Sequence, residues 1–232
     1  MPNIKTILLT GAAGQLGQSF QQLAEQYPQY AFTFADRNDF DLSETASIEA
    51  YCQQYTFDLI INCAAYTAVD KAESEAELAD VINHVAVHKL AQIAVQQQAK
   101  FIHISTDYVF NGVQHRPYVE TDKVAPSSVY GATKLAGEQA LLQTMPLNAL
   151  IIRTSWVYSP FANNFVKTML KLGEQRDSLT VIFDQIGTPT YAPDLAEAIM
   201  HIVATDTFKQ ISKPTEIYHY SNEGVCSWYD FA

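Results

Sequence analysis

Tyr130 and Lys134 stand four positions apart in the segment VYGATK (129–134), a spacing that places both side chains on one face of a helix. A free phenol titrates near pH ~10 and is a sluggish proton donor at neutrality. An ammonium one helical turn away can stabilise the phenolate and lower that value. The pair therefore reads either as a proton donor with its tuning cation or as an ordinary surface pair. Ser105 and Thr106 end the apolar run FIHIST, upstream of that pair. There they are either turn formers or hydroxyls offered to a ligand. A third group is GAAGQLG, which sets Gly11, Gly14 and Gly17 in a G-x-x-G-x-x-G pattern. Such a pattern suits a turn that needs unusual backbone angles and lets a pyrophosphate approach without Cβ atoms in the way.

The elements that must position these groups are legible as alternating runs. TILLT (6–10), AFTFA (31–35), LIINCAA (59–65), FIHIST (101–106), ALIIRTS (149–155) and LTVIF (179–183) read as strands buried on both faces. Helical periodicity covers roughly 15–27, 44–54, 74–98, 127–144, 162–173 and 192–205. In the third of these, Leu78, Val81, Ile82, Val85, Leu90 and Ile93 form an apolar stripe. Strand–helix alternation predicts an α/β fold, a doubly wound parallel sheet of the Rossmann type with right-handed crossovers. We divide the chain into a nucleotide-binding core over 1–155 and a mixed region over 156–232, carrying the last core elements and part of a smaller substrate-binding region. The closing SWYDFA reads like a helix start that should continue, so that smaller region is expected to be truncated.

In this frame the glycines follow the first strand and open the first helix, whose N-terminus faces an anion. That context predicts dinucleotide binding, with Gln15 and Leu16 inside the loop. After the second strand comes ADRND, where Asp36 can accept hydrogen bonds from ribose hydroxyls, favouring NAD(H). Arg37 beside it suits a 2′-phosphate, so NADPH and NADH both remain open. Asp41 and Leu42 are a weaker candidate pair beside the adenine. Thr106 lies at a strand's carboxyl end, where ligands gather in such sheets.

Composition sets limits. The chain has 232 residues, 14 basic and 25 acidic, for a formal net charge of −11. Nucleic acid and anionic membranes need clustered Lys and Arg, so neither is expected as a partner. Three separated cysteines form no disulfide framework or zinc pattern and fit a reducing cytoplasm. No leader pattern or membrane-length apolar run stands out. His103, flanked by apolar residues, reads as a buried, hydrogen-bonded histidine rather than a catalytic one.

The ensemble of glycine loop, strand-end hydroxyl and Y-x-x-x-K resembles the extended short-chain dehydrogenase/reductases. NCAAYTAVDKAE (62–73), ISTDYVFNG (104–112), VYGATKLAGE (129–138), IIRTSWVYS (151–159) and DQIGTPTYAPDLA (184–196) narrow the likeness to the dTDP-4-dehydrorhamnose reductase family. The resemblance implies hydride transfer from NADPH or NADH to a nucleotide-linked 4-keto-6-deoxy sugar. It gives Tyr130 the general-acid position and Lys134 a bond to the nicotinamide ribose. Thr106 would donate to the substrate carbonyl oxygen. Cys63, Ala64, Ala65 and Tyr66 would line the cofactor; Thr67, Val69, Tyr108 and Trp156 would lie near the sugar. Asn83 matches an asparagine of the superfamily's active-site surroundings. The turn SPFANN (159–164) departs from the family's small-residue pattern. The expected partners are a nucleotide-sugar substrate and a second copy in a homodimer. Some relatives bind Mg²⁺ at a subunit interface, but no carboxylate cluster supports a metal site here. Two other functions fit the same residues: a different nucleotide-sugar reductase or epimerase, and a non-catalytic NAD(P)-binding regulatory subunit.

Overall fold

A computed structural model of the chain describes residues 4–210 and 212–232. In chain order the elements are β1 (Thr6–Thr10), α1 (Gln15–Ala24), β2 (Ala31–Ala35), α2 (Thr45–Cys52), β3 (Leu59–Asn62) and the short α3 (Val69–Ala72). Then come α4 (Ala76–Asp80), a π-helical segment (Val81–Val85), α5 (Ala86–Gln97), β4 (Lys100–Thr106) and α6 (Val129–Thr144). The remainder comprises β5 (Ala149–Thr154), β6 (Val157–Tyr158), α7 (Phe165–Gln175), β7 (Ile186–Gly187) and β8 (Thr190–Tyr191). It closes with α8 (Ala192–Ala204), α9 (Asp206–Lys209), β9 (Glu216–His219), β10 (Cys226–Ser227) and α10 (Trp228–Phe231).

Six strands form one parallel sheet in the order β2-β1-β3-β4-β5-β9. Because side chains alternate along a strand, each strand feeds two cores. Leu8, Ile60, Phe101 and Ile151 meet Ile48, Val87, Leu90 and Leu141 from α2, α5 and α6 on one face. Ile7, Leu9, Ile61, Ile102 and Ile152 meet Phe20, Leu195, Ile199 and Val203 from α1 and α8 on the other. This is the doubly wound α/β architecture expected. The order reverses between β1 and β3, and a crevice opens at their carboxyl ends, the usual ligand site of such sheets.

Two local expectations are corrected. Residues 179–183 are not a strand: Ile182 is 50% and Phe183 75% exposed. The sixth place in the sheet goes to β9, pairing with β5 through Ile151↔Ile217. Its EIYH sequence is half-exposed at an edge and lacks the continuous apolar run that marks strands covered on both faces. The helix expected over 74–98 is interrupted by the π-helical segment, whose extra residue rotates the faces on either side. Leu78 is consequently exposed, while Asn83 turns inward and is 1% exposed.

Candidate active site

The loop after β1 makes the floor of the crevice. Gly11 has φ +72°, and a Cβ there would stand 2.8 Å from the Cα of Ala64. Gly17 packs its helix on the loop: a Cβ would meet the carbonyl oxygen of Gly11 and lie 2.7 Å from the Cα of Ala12. The Gly14 N–H donates to the Gly11 carbonyl at 2.9 Å, closing the turn. Gln15 reaches away from the loop. Its Nε2 donates to the Val157 carbonyl (3.1 Å), and its Oε1 accepts from Ser159 Oγ (3.0 Å) and Asn164 Nδ2 (3.1 Å). Those bonds secure the SPFANN turn, in which Ala162 takes φ +49°.

At the end of β2, Asp36 Oδ1 accepts from the Asn38 N–H at 2.7 Å. Arg37 is 78% exposed in its side chain and its Nε donates to Asp41 Oδ2 at 3.1 Å. Both lie at the rim, with Leu42 beside them.

Helix α6 starts at Ser128, whose Oγ accepts from the Gly131 N–H at 3.1 Å, and a second anchor is Glu73 Oε1, accepting from Val129 N–H at 2.9 Å. One face then carries Tyr130, Lys134 and Glu138 toward the end of β4. Tyr130 packs edge-on against Tyr108, ring centroids 5.5 Å apart. Burial pushes its phenol well above the ordinary tyrosine range, with the Thr106 hydroxyl acting in the opposite sense. Lys134 is 2% exposed. Its Nζ donates to the Ile104 carbonyl at 2.7 Å and lies 3.5 Å from His103 Nε2. Burial pushes its pKa down to about 8, opposed by Glu138 and Cys63. The sequence led us to expect the lysine to lower the phenol. Here the ammonium is turned to the strand, and burial dominates Tyr130.

Thr106 combines both of its readings. Its Oγ1 accepts from the Tyr108 N–H (3.2 Å), capping a 3₁₀ turn over Asp107–Val109, and donates to Asp107 Oδ1 (3.1 Å). Asp107 is a carboxyl raised by burial to about 6.

The glycine loop, the end of β2 and the Tyr130/Lys134 face of α6 meet in one cleft of about 840 Å³. It gathers Gly11, Gly14, Gln15, Leu16 and Gly17 with Asp36, Arg37, Asp41 and Leu42. Cys63, Ala64, Ala65, Tyr66, Thr67 and Val69 line it too, as do Thr106, Tyr108, Tyr130, Lys134 and Trp156. Asn83 stands outside it and clamps Tyr66, its Oδ1 accepting from the backbone N–H (2.9 Å) and its Nδ2 donating to the carbonyl (3.1 Å). His103 is fully buried, as expected, and also lies behind the wall. Asp107 and Trp228 line the cleft without having been singled out from the sequence. Asp107 stood within STDYVF beside Thr106 and its acidity there was a usable signal. Trp228 was not, because only the fold stacks it on Trp156, at 3.6 Å between centroids. Trp156 itself takes φ +48°, which turns its ring toward that stack.

A turn with glycine at 11, 14 and 17, an acidic residue after β2 and a long cleft fit a bound dinucleotide. Fold and site thus define a Rossmann-type dinucleotide-binding protein. Residues 5–232 match the RmlD substrate binding domain family, and the chain belongs to that family. It is 43% identical over 230 residues to the dTDP-4-dehydrorhamnose reductase of Escherichia coli (strain K12), covering 97% of this chain and 75% of that protein. The spore coat polysaccharide biosynthesis protein SpsK of Bacillus subtilis (strain 168) is 42% identical over 228 residues, with 97% and 76% covered. The crystal structure of dTDP-4-dehydrorhamnose reductase from Bacillus anthracis str. Ames in complex with NADP superposes with a TM-score of 0.89. It shares 39% identity, with 98% of this chain and 78% of that chain covered.

Proposed function

We propose that the protein reduces the 4-keto group of dTDP-4-dehydro-6-deoxy-L-mannose to give dTDP-L-rhamnose, using NADPH or NADH. One observation carries this reading: in a chain of this family, a single cleft joins the glycine loop to Thr106, Tyr130 and Lys134. Gly11, Gly14 and Gly17 would hold the pyrophosphate, Asp36 and Arg37 the adenosine ribose, and Lys134 the nicotinamide ribose. When bound, the cofactor supplies the hydride.

Tyr130 supplies the proton to the carbonyl oxygen as a general acid. Its burial keeps the phenol protonated at neutral pH, so the donor is loaded before the substrate arrives. The phenolate left behind is costly in the same burial. Lys134 is the nearby cation that offsets it, which requires its Nζ to reach from the Ile104 carbonyl toward the phenol. Thr106 turns its O–H from Asp107 to the carbonyl oxygen and stabilises the charge growing there. Tyr108 and Trp156 present aromatic side chains to the sugar, and Thr67 and Val69 line the same cleft.

This reading takes 1–155 as the cofactor core and 156–232 as the last core elements with part of the sugar-binding region. It also includes a homodimer in the cytoplasm. Among the described residues, no helix is long and apolar enough to cross a membrane. The test is NAD(P)H oxidation by the full-length protein with dTDP-4-keto-6-deoxy-L-lyxo-hexose, with product identified chemically. Turnover of a different nucleotide sugar but not this one would refute the substrate assignment. Tyr130→Phe is expected to abolish reduction and leave cofactor affinity within about twofold.

A further inference from the structure

Behind Lys134 lies a row of polar side chains that the mechanism above does not use. Thr10, Asn62 and His103 are register partners on β1, β3 and β4. They sit two residues beyond Leu8, Ile60 and Phe101 on the same strands, hence on the same sheet face. The first row is apolar and belongs to the core. The second is polar although Thr10, Asn62 and His103 are 1%, 1% and 0% exposed. Polar groups at such depth cost stability unless hydrogen-bonded.

These are bonded in a chain. Thr10 Oγ1 lies 2.6 Å from Asn62 Oδ1, Asn62 Nδ2 lies 3.1 Å from His103 Nδ1, and His103 Nε2 lies 3.5 Å from Lys134 Nζ. Burial and the adjacent lysine hold His103 well below the ordinary histidine range, so the ring is neutral and carries one proton. A neutral imidazole donates from one nitrogen and accepts at the other. With Asn62 Nδ2 facing Nδ1, the ring proton sits on Nε2 and faces Lys134. With the amide turned over, Oδ1 accepts from Nδ1–H, Nδ2 donates to Thr10 Oγ1, and Nε2 offers its lone pair to the lysine. A protonated Lys134 selects this second arrangement, because two donors would otherwise face each other. The other titratable groups around Lys134 are Tyr130 and Glu138 on its own helix and Cys63 after β3. Glu138 is already engaged by Arg153 at 2.7 Å.

We propose that His103 is a positioning residue of the reduction site: its neutral ring accepts from the Lys134 ammonium through Nε2 and, through Asn62 and Thr10, ties the lysine to the start of the glycine loop. The inference rests on the role given to Lys134 above. His103 touches neither cofactor nor sugar. It keeps a buried lysine charged, and it sets where that charge stands when Tyr130 loses its proton.

The experiment combines ring ¹⁵N shifts of His103 in the full-length, cofactor-free protein with kcat–pH profiles of variants. His103 should stay neutral with its proton on Nδ1, and Lys134→Met should move that proton to Nε2. His103→Leu removes an acceptor from a charged donor, which disfavours the ammonium and lowers the lysine further. Its kcat should fall about tenfold and the alkaline limb should move acid by about one pH unit. KM values should stay within about twofold. His103→Gln, whose amide oxygen can accept, should recover most of both losses. A folded His103→Leu with the wild-type alkaline limb would overturn the proposal, as would ring shifts indifferent to Lys134→Met. If His103→Leu does not fold, the ring shifts and the His103→Gln profile decide. Wild-type protein inactive on every nucleotide sugar would count against the functional reading, and the ring shifts would still test the His103–Lys134 bond.

Discussion

Lys134→Met should make the cofactor-free protein more stable while removing its activity. The ammonium is 2% exposed and, among the described residues, finds the Ile104 carbonyl at 2.7 Å and His103 Nε2 at 3.5 Å for its three N–H donors. Its pKa falls from 10.5 to about 8 on folding. At about 1.36 kcal/mol per unit, that difference is a cost of about 3 kcal/mol carried by the folded protein at neutral pH. Between the folded and unfolded values the unfolded chain binds the extra proton, so stability rises with pH there. Above 10.5 the neutral amine costs nothing extra, and below about 8 the whole penalty applies. Methionine has similar length and no charge. Urea unfolding of both proteins from neutral to strongly alkaline pH should therefore show the variant more stable by about 2–3 kcal/mol at neutrality. The gap should close by about 1.4 kcal/mol per unit once the pH passes 8. A variant less stable than wild type at neutral pH, or a gap that does not change with pH, would refute the reasoning. Loss of activity together with a gain in stability is the trade-off expected of a strained functional group.

Other substitutions probe the remaining parts. Gly17→Ala drives a Cβ into the Gly11 carbonyl and to 2.7 Å from the Ala12 Cα. It should destabilise the protein by about 1–3 kcal/mol and weaken NADPH binding at least tenfold, read by thermal melts with and without cofactor. Glu138→Gln leaves Arg153 buried without its carboxylate partner, the two side chains being 1% and 4% exposed. A loss of about 3–5 kcal/mol is expected, with most of it recovered in Glu138→Leu/Arg153→Met, measured by denaturant unfolding. Arg37→Ala removes the exposed guanidinium from the end of the cleft proposed to hold the adenosine. Affinity for NADPH should drop about tenfold and that for NADH stay nearly constant; equal losses would exclude contact with a 2′-phosphate.

Much of the arrangement was readable before any coordinates. Five of the six sheet strands, the glycine turn and the Tyr130/Lys134 face follow from local rules: side-chain period, the backbone freedom of glycine, and helical spacing. Such rules act over a few residues, so a linear reading can apply them. Residues 179–183 show where this stops. Their run is as apolar as a strand's, but the place beside β5 is taken by β9, and 179–183 stay at the surface.

The amino-acid sequence alone determined that a nucleotide cleft would form at the carboxyl ends of β1, β3 and β4, because alternating apolar runs leave the chain few ways to bury itself. It also put Tyr130 and Lys134 on one face of a helix at that cleft. Only the tertiary structure decided how those side chains are held. The row Thr10–Asn62–His103 exists because three strands distant in sequence lie in one register. Trp228 reaches the cleft because the chain returns to stack it on Trp156. Lys134, four residues from Tyr130, points its charge at the strand rather than the phenol, because a buried ammonium goes where carbonyl and imidazole lone pairs are found.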